Sequence, residues 1–543
     1  MLQRKLIFLK ISPSPKSKVL ALKLLIAITI YLLSNTVVIA QKDSSVFWGD
    51  TEELSSYNYD FNFVNKTKNA LYTCRYNANR GNGLVLEKYD ATTLKKLFIQ
   101  SIDFEELAQD NEEQNFEKII FCFQKLYVFS SVASKKEKKN LIYANIIDST
   151  GKAIATNKLV CSTALHPGNK ADLISIETST DSTSFLISMR SPAEKEKNSF
   201  LQCFVISGEL DVLFSKQLEI PYASENTEFL KTMLWNNQNI YFLLAIEDQT
   251  NRKSIGNRIP FPKTHLLLCY NYKVNKMTEI LIAIQSKWIH SCELVAKNMA
   301  EAAIGGFYSN TADLAISGGY ILKVNLENDQ IADTRIYAIS RDKLNEISQS
   351  EYAVMNKKLT YFKLDHFIPM QNNRYVLIGE NRHVSSSANI NPYNGVDNVT
   401  YTYYNGNIVC LEFDTVGDQV WFIPKDQKTI NDYGEFSSYG IGSYQSHLGF
   451  IFNSMDVNYS RVVVDPYQNP LVKTNNMADL MFTEININSD TDIELKQIKL
   501  LDGDKNKWRV MPYKTFFSDE KHLYFYAQKG GKFTLGKMEI SNK

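Results

Sequence analysis

The chain has 543 residues, 44% of them hydrophobic and 12% aromatic, and its 60 basic side chains nearly balance 59 acidic ones. That is apolar material for a large core, without the basic footprint of a nucleic-acid binder. Thirty tyrosines and thirty phenylalanines, with β-branched neighbours in short period-two runs, predict an all-β protein.

In chain order, residues 1–23 carry six basic side chains, from Arg4 to Lys23, and no acid. An apolar run from Leu24 to Ala40 follows, and Val38-Ile39-Ala40 precedes Gln41 at cleavage spacing. This predicts a signal peptide over residues 1–40 and an exported protein, periplasmic or extracellular. An uncleaved anchor is the alternative, but Ser34, Asn35 and Thr36 interrupt a run that a spanning helix needs at about 20 apolar residues. No cysteine marks a lipoprotein anchor, and no later run has the character of a transmembrane segment. Removing the six basic residues leaves 54 basic against 59 acidic, a net charge of about −5, so no nucleic-acid partner is expected. The lysines at 135, 136, 138 and 139 surround Glu137 and read as a solvated loop.

From about residue 57 the chain repeats one unit eight times. The clearest copy starts at Lys118 with KIIFCFQ, continues through KLYVFSSV and LIYANIIDSTG, and ends with ATNKLV. Four short runs in meander order, recurring every fifty-odd to seventy-odd residues, are the pattern of β-propeller blades. Second runs recur as Ile240-Tyr241-Phe242-Leu243 and Tyr375-Val376-Leu377-Ile378, and third runs as LLLCYNY and NIVCLEF. Asp148-Ser149-Thr150-Gly151, Asp414-Thr415-Val416-Gly417 and the shorter Ser207-Gly208 place an acceptor side chain and a glycine at third-to-fourth turns. The last unit ends after three runs, so residues 43–55 are expected to supply its fourth strand and remove the exposed edges. The expectation is a single propeller over 41–543 with eight blades, seven being the alternative. No Pro-, Gly- or Ser-rich linker divides it into two.

Residues 407–421, from Asn407 through Asp414-Thr415-Val416-Gly417 to Trp421, resemble the strand–Asp-x-x-Gly–strand–Trp element of exported bacterial β-propeller repeat proteins of uncharacterised function. Quinoprotein-type propellers carry a similar element. The resemblance spans about one unit and implies the fold and an exported bacterial setting. It transfers no catalytic residue, and with only five tryptophans a quinone cofactor is not expected.

In a meander, the turns between first and second and between third and fourth strands share one face. The second-to-third connections and the crossings between blades share the other. The long connections fall on that second face: Glu247 to Lys263, Asn381 to Tyr404 and Asp456 to Asn476 within blades, and Asp103 to Phe116, Cys161 to Lys170, Ser340 to Lys357 and Lys425 to Phe436 between them. Long loops on a rigid frame are where binding and catalysis concentrate; drift at tolerated surface positions is the alternative. The 340–357 crossing reads as a short helix, with Leu344, Ile347 and Tyr352 spaced by turns.

The 381–404 and 425–436 segments come from one blade and its exit and should meet. They would gather Arg382, His383, Tyr393, Tyr401, Tyr403, Tyr404, Asp432, Tyr433 and Glu435 into a ligand-binding region for a protein, peptide or glycan. Tyrosine offers a flat apolar face with a polar rim; the same rings would also serve simply to pack these segments on the propeller.

The remaining chemistry is sparse. The seven histidines form no HxxxH or HExxH, and no cysteine pair has metal-ligand spacing, so no metal or other cofactor is expected. Asp502-Gly503-Asp504 starts like a calcium loop but lacks its following glycine and distal glutamate. The seven cysteines lie within apolar strands and read as buried free thiols. A binding module is the first functional reading. A carboxylate-based glycan hydrolase or lyase is the alternative, with Asp365 and Glu380 as candidate acids, and a structural envelope component is the third.

Overall fold

The computed structural model describes residues 46–539 except 54–59, 77–82, 103, 105–111, 113, 167–170, 192–196, 236–238, 248–262, 299, 312–314, 344–358, 391–396, 415–416, 424, 426, 431–435, 445, 455–478, 488–493, 499–507, 519–521 and 530. The expected signal segment and the Asp502 turn lie outside the described residues.

Second and third strands are apolar on both faces because each blade is packed between two others. Ile240 to Ala245 is an unbroken buried run, whereas Lys96–Ile102, a fourth strand, alternates between exposed and partly covered positions. Period-two patterning therefore survives only at the rim. Each core cluster bridges neighbouring blades, as where Tyr127 and Phe129 of blade two meet Phe185 and Ile187 of blade three. Burying such a side chain fully contributes about 1.5–3 kcal/mol.

The strands form eight antiparallel sheets in meander order, a β-propeller of eight blades. Blade one comprises Asp60–Lys66, Ala70–Tyr76, Leu84–Asp90 and Lys96–Ile102. Blades two to five occupy residues 114–164, 173–223, 227–282 and 288–338. Blade six comprises Phe362–Pro369, Tyr375–Ile390, Asp397–Phe413 and Gln419–Ile423; blade seven Tyr439–Tyr444, His447–Ser454, Asp479–Asn486 and Glu494–Ile498. Blade eight has three strands from the C-terminal end, Arg509–Ser518, His522–Lys529 and Lys532–Glu539. First strands touch one another around the axis: Asp60–Lys66 lies between Gln114–Cys122 and Arg509–Ser518.

The N-terminal strand completes blade eight. Val46 pairs with Met538 and Trp48 with Gly536, and Glu52 lies opposite Phe533. Trp48 sets its edge against Phe525, with ring centroids 5.3 Å apart, so closure is hydrogen-bonded and packed.

The third-to-fourth turns share an acceptor side chain more than a glycine. Asp148 Oδ1 accepts the Thr150 and Lys152 N–H groups at 2.8 and 3.0 Å, and Gly151 follows in the left-handed region. Asp90 likewise accepts from Thr92 and Thr93, but Leu94 takes the left-handed position. In the Ser207 turn that position is Leu210, not Gly208, and Leu210 is buried in the core between blades two and three. Its burial offsets a left-handed cost of about 1–2 kcal/mol.

All seven cysteines are buried and unbridged. Burial pushes the Cys161 thiol up to about 12, which leaves it inert. Arg341, Asp342 and Lys343 are helical; the rest of the expected crossing helix lies outside the described residues. Short turns at 67–69, 123–124, 148–152 and 208–211 share one face, and the strand ends at Ile102 and Gln114, Glu247 and Lys263, Ala338 and Phe362, and Ser454 and Asp479 lie on the other.

Candidate functional site at the mouth of blade six

The 381–404 segment, expected as a loop, is instead mostly strand. Tyr375–Ile390 and Asp397–Phe413 run on past the body of the blade as a hairpin, with His383 opposite Tyr404, Val384 opposite Tyr403 and Ser386 opposite Tyr401. The cause is local: Val399-Thr400-Tyr401-Thr402-Tyr403-Tyr404 is rich in residues that favour a pleated backbone. The exit segment joins it, as Gln427–Ile430 pairs with Thr402 through Asn405. The two segments do meet, as a three-stranded extension of the sheet.

A register shift separates the extension from the blade body. Glu380 lies opposite Ile408 but Arg382 opposite Asn405, so Gly406 and Asn407 face the single residue Asn381. Such a bulge bends a sheet and re-aims its side chains. Asn407 Oδ1 here accepts the Lys425 N–H at 2.8 Å. Asn381 Nδ2 donates to Thr360 O at 2.9 Å, and the Arg382 N–H donates to Tyr361 O at 2.9 Å, which ties the hairpin base to the incoming chain.

Four charged groups meet at this base. Glu380 is wholly buried and receives the Lys425 ammonium, also wholly buried, and the Arg382 Nε–H. Arg382 Nη2 reaches on to Asp365 Oδ2 at 3.2 Å and Ser438 Oγ at 3.0 Å, while the Tyr439 hydroxyl donates to Asp365 Oδ2 at 2.9 Å. Lys425 also donates to Ser437 O, and Asn405 Nδ2 to Ser437 Oγ. Buried ions persist only when paired and hydrogen-bonded in this way.

The environment shifts these groups unequally. Burial pushes the Asp365 carboxyl up to about 6, with Glu380 adding to the shift and Arg382, Tyr439 and Lys425 opposing it. Burial, helped by the Arg382 charge, depresses His366 to about 4, so that imidazole is neutral. Burial also lowers Lys425. Arg382 loses hydration too, but Glu380 and Asp365 more than offset that and hold it above its ordinary value.

Above this network opens a cavity of about 750 Å³. Its walls are Lys363, Asp365 and His366 from the first strand of blade six; Arg382, His383, Val384, Tyr403, Tyr404 and Asn405 from the hairpin; Ser438 to Ile441 at the start of blade seven; and Tyr513 and Thr515 of blade eight. Gly440 shapes the far wall: a Cβ there would collide with Pro512 O and Thr515 Oγ1, so glycine lets the first strands of blades seven and eight close up. His383 stacks on Tyr404, with centroids 4.1 Å apart and planes 7° from parallel, and the Tyr361 ring lies tilted with its centroid 5.2 Å from that of His383.

Of the residues expected from sequence, Arg382, His383, Tyr403 and Tyr404 line this cavity, and Tyr401 is 46% exposed further along the hairpin. Tyr393, Asp432, Tyr433 and Glu435 lie outside the described residues. Asp365 and Glu380, singled out as acids, do come together through Arg382. Lys363, His366, Lys425, Ser438, Tyr439 and Tyr513 were not foreseen. The readable hint was the cluster of Lys363, Asp365 and His366 within one first strand; Asp365 falls at a register shift, so alternation alone does not place it. The cavity thus combines aromatic surface, a buried ion network and an exposed cation, which suits recognition of a polar ligand with flat apolar faces.

Among the described residues no cluster of His, Cys, Asp or Glu is placed to hold a metal ion, and no helix is long and apolar enough to cross a membrane.

No protein-family model and no curated protein matches the chain. Among solved structures it is similar to the Dos1 propeller, at 8% identity and a TM-score of 0.42 over 92% of this chain and 96% of that one. The β-propeller domain of the Trilobed protease from Pyrococcus furiosus, described as having an open velcro topology, shares 10% identity at a TM-score of 0.36, over 82% and 98% of the two chains. A mutant apocarotenoid oxygenase from Synechocystis shares 9% at 0.32, over 71% and 94%.

Proposed function

We propose that this chain is an exported β-propeller binding module that takes a protein, peptide or glycan ligand at the mouth of blade six. The observation that carries the reading is the 750 Å³ cavity, which opens on the face of the long connections and is walled by three blades and a projecting hairpin. Pockets of a few hundred to about 1,000 Å³ with convergent polar groups are the usual form of ligand sites. Export rests on the basic and apolar N-terminal residues 1–40. The test is a glycan and peptide array probed with the mature chain from Gln41 and with Tyr403→Ala. A ligand bound by the first and lost by the second, at equal melting temperature, supports the reading. Undiminished binding of every ligand by the variant rejects the site.

Hydrolysis or elimination is the second reading, and one feature favours it: Asp365 is held near 6, in the range of a general acid. Against it, Glu380 is wholly buried and locked between Lys425 and Arg382. It is a structural counter-ion, which leaves Asp365 without an accessible carboxylate partner at the network among the described residues.

A further inference from the structure

We infer that the blade-six mouth selects a ligand carrying carboxylates on sugar rings, a uronate-containing glycan, with Lys363 as the residue that reads the charge. The inference rests on the binding-site reading above and narrows it to one chemistry.

The charge balance comes first. Arg382 and Lys425 answer Asp365 and Glu380 within the buried network. Lys363 lines the same cavity, is exposed, and has no ion-pair partner among the described residues. Among the described residues the mouth therefore carries one surplus positive charge when both acids are ionised, held beside a polar opening where an incoming anion replaces solvent. Electrostatic complementarity of this kind sets selectivity and on-rate.

The aromatic surface comes second. Tyr403 and Tyr404 sit on a strand that is hydrogen-bonded on both sides, to the 382–390 strand and to Gln427–Ile430. A ligand on that strand meets side chains, not a free main-chain edge. Flat rings with polar rims suit the C–H face of a pyranose, and a uronate carries its carboxylate on the rim of that same ring, within a cavity that Lys363 also lines. A peptide strand would instead need an open edge. The one beside this cavity is the outer side of the 382–390 strand, which has no strand against it among the described residues. An acidic peptide is therefore the competing occupant.

Binding of such a ligand is expected to depend on pH. As the pH falls through about 6, Asp365 takes up a proton and the surplus positive charge grows. The groups facing Asp365 are Arg382, Glu380, Lys425 and Tyr439, with His366 adjacent and neutral down to about 4. Uronates stay ionised over that interval, so their binding tightens from pH 7 to pH 5.

The experiment is calorimetric titration of the mature chain with three probes: hexagalacturonate, its carboxyl-reduced hexamer, and hexaglutamate. Hexagalacturonate should bind, at least tenfold more tightly than either other probe. Lys363→Ala should weaken it about tenfold, with Lys363→Arg retaining most of the affinity. Equal binding of the reduced hexamer would overturn charge reading, and tighter binding of hexaglutamate would overturn the sugar in favour of a peptide. Absence of binding by all three, while an array ligand still depends on Tyr403, would overturn the uronate assignment and leave the site standing. Loss of the Tyr403 dependence itself would remove the site.

Discussion

Two buried carboxylates in this propeller solve one electrostatic problem with different consequences. Glu87 of blade one takes Arg75 in a two-pronged pair, Nη2 to Oε1 at 2.8 Å and Nε to Oε2 at 3.2 Å, with Lys96 Nζ at 2.7 Å. Glu380 of blade six also takes one arginine and one lysine. The difference lies in the second acid. At the seam it is Glu52 on the closing strand, which pairs with Lys96 and accepts the Tyr89 hydroxyl at 3.1 Å, so the network fastens the N-terminal strand to blade one. At the mouth it is Asp365, which borders the cavity. The same charges make a clasp where the chain's path supplies the last partner and the floor of a cavity where that partner is left facing an opening.

The geometry explains how this arises. Arg75 and Glu87 lie on paired strands within the blade, Thr73 being directly opposite Glu87, so their charges face inward. Glu380 and Arg382 lie on one strand across a bulge, and Arg382 stands where that strand leaves its neighbour, Phe362 opposite Asn381 being the last pair. The bulge carries the arginine past the sheet into the mouth.

The comparison can be broken in several ways. The largest effect is expected at the seam. Glu87→Ala leaves Arg75 and Lys96 without their buried counter-ion and should cost about 3–5 kcal/mol by urea denaturation, with ligand capture at the mouth unchanged in the folded fraction. A cost under about 1 kcal/mol would show that the seam network is no clasp.

Next comes Asp365. Its carboxyl is raised from 3.8 to about 6 in the folded chain. Its stabilising contribution is therefore fully present below the unfolded value near 3.8 and lost as the pH rises through about 6. Asp365→Asn removes that loss, so the variant should gain on wild type between pH 4 and pH 7, on the order of 2 kcal/mol. His366, depressed to about 4, contributes oppositely, its share being lost as the pH falls through 4, and it cancels in the comparison of the two chains. Parallel melting curves at pH 4.5, 5.5 and 7 would contradict the buried position of Asp365.

The smallest effect concerns the hairpin. Tyr404→Leu removes the stack on His383 and should cost about 0.5–1.5 kcal/mol. A larger loss would make the extension part of the core rather than an outlying wall.

Much of the fold was legible in the sequence because it follows from repeated patterns. Second and third strands are apolar runs, and a chain that ends three strands into a blade calls for its N-terminus to close it. The turns were less legible. Phe123 and Gln124 both take left-handed backbone in the turn between Cys122 and Lys125, where glycine or asparagine would be expected. Phe123 fits there because its ring packs edge-on against Tyr127 and Phe185, and tertiary packing of that kind leaves no local signal. At the site, Arg382, His383, Tyr403 and Tyr404 were found from the 381–404 segment, whose meeting with the exit segment was also expected. Lys363, Ser438 and Tyr513 were hidden because they lie in or just before the first strands of three different blades, which only the ring brings together.

The most direct measurement is hydrogen exchange on the chain from Gln41, free and saturated with the tightest ligand from the array. Slower exchange in residues 382–390, 401–405 and 438–441, with the seam strand at 84–90 unchanged, is the result predicted for a ligand seated at the blade-six mouth. Protection confined to the turns of the opposite face, such as 148–152 and 208–211, with the hairpin unaffected, would contradict it.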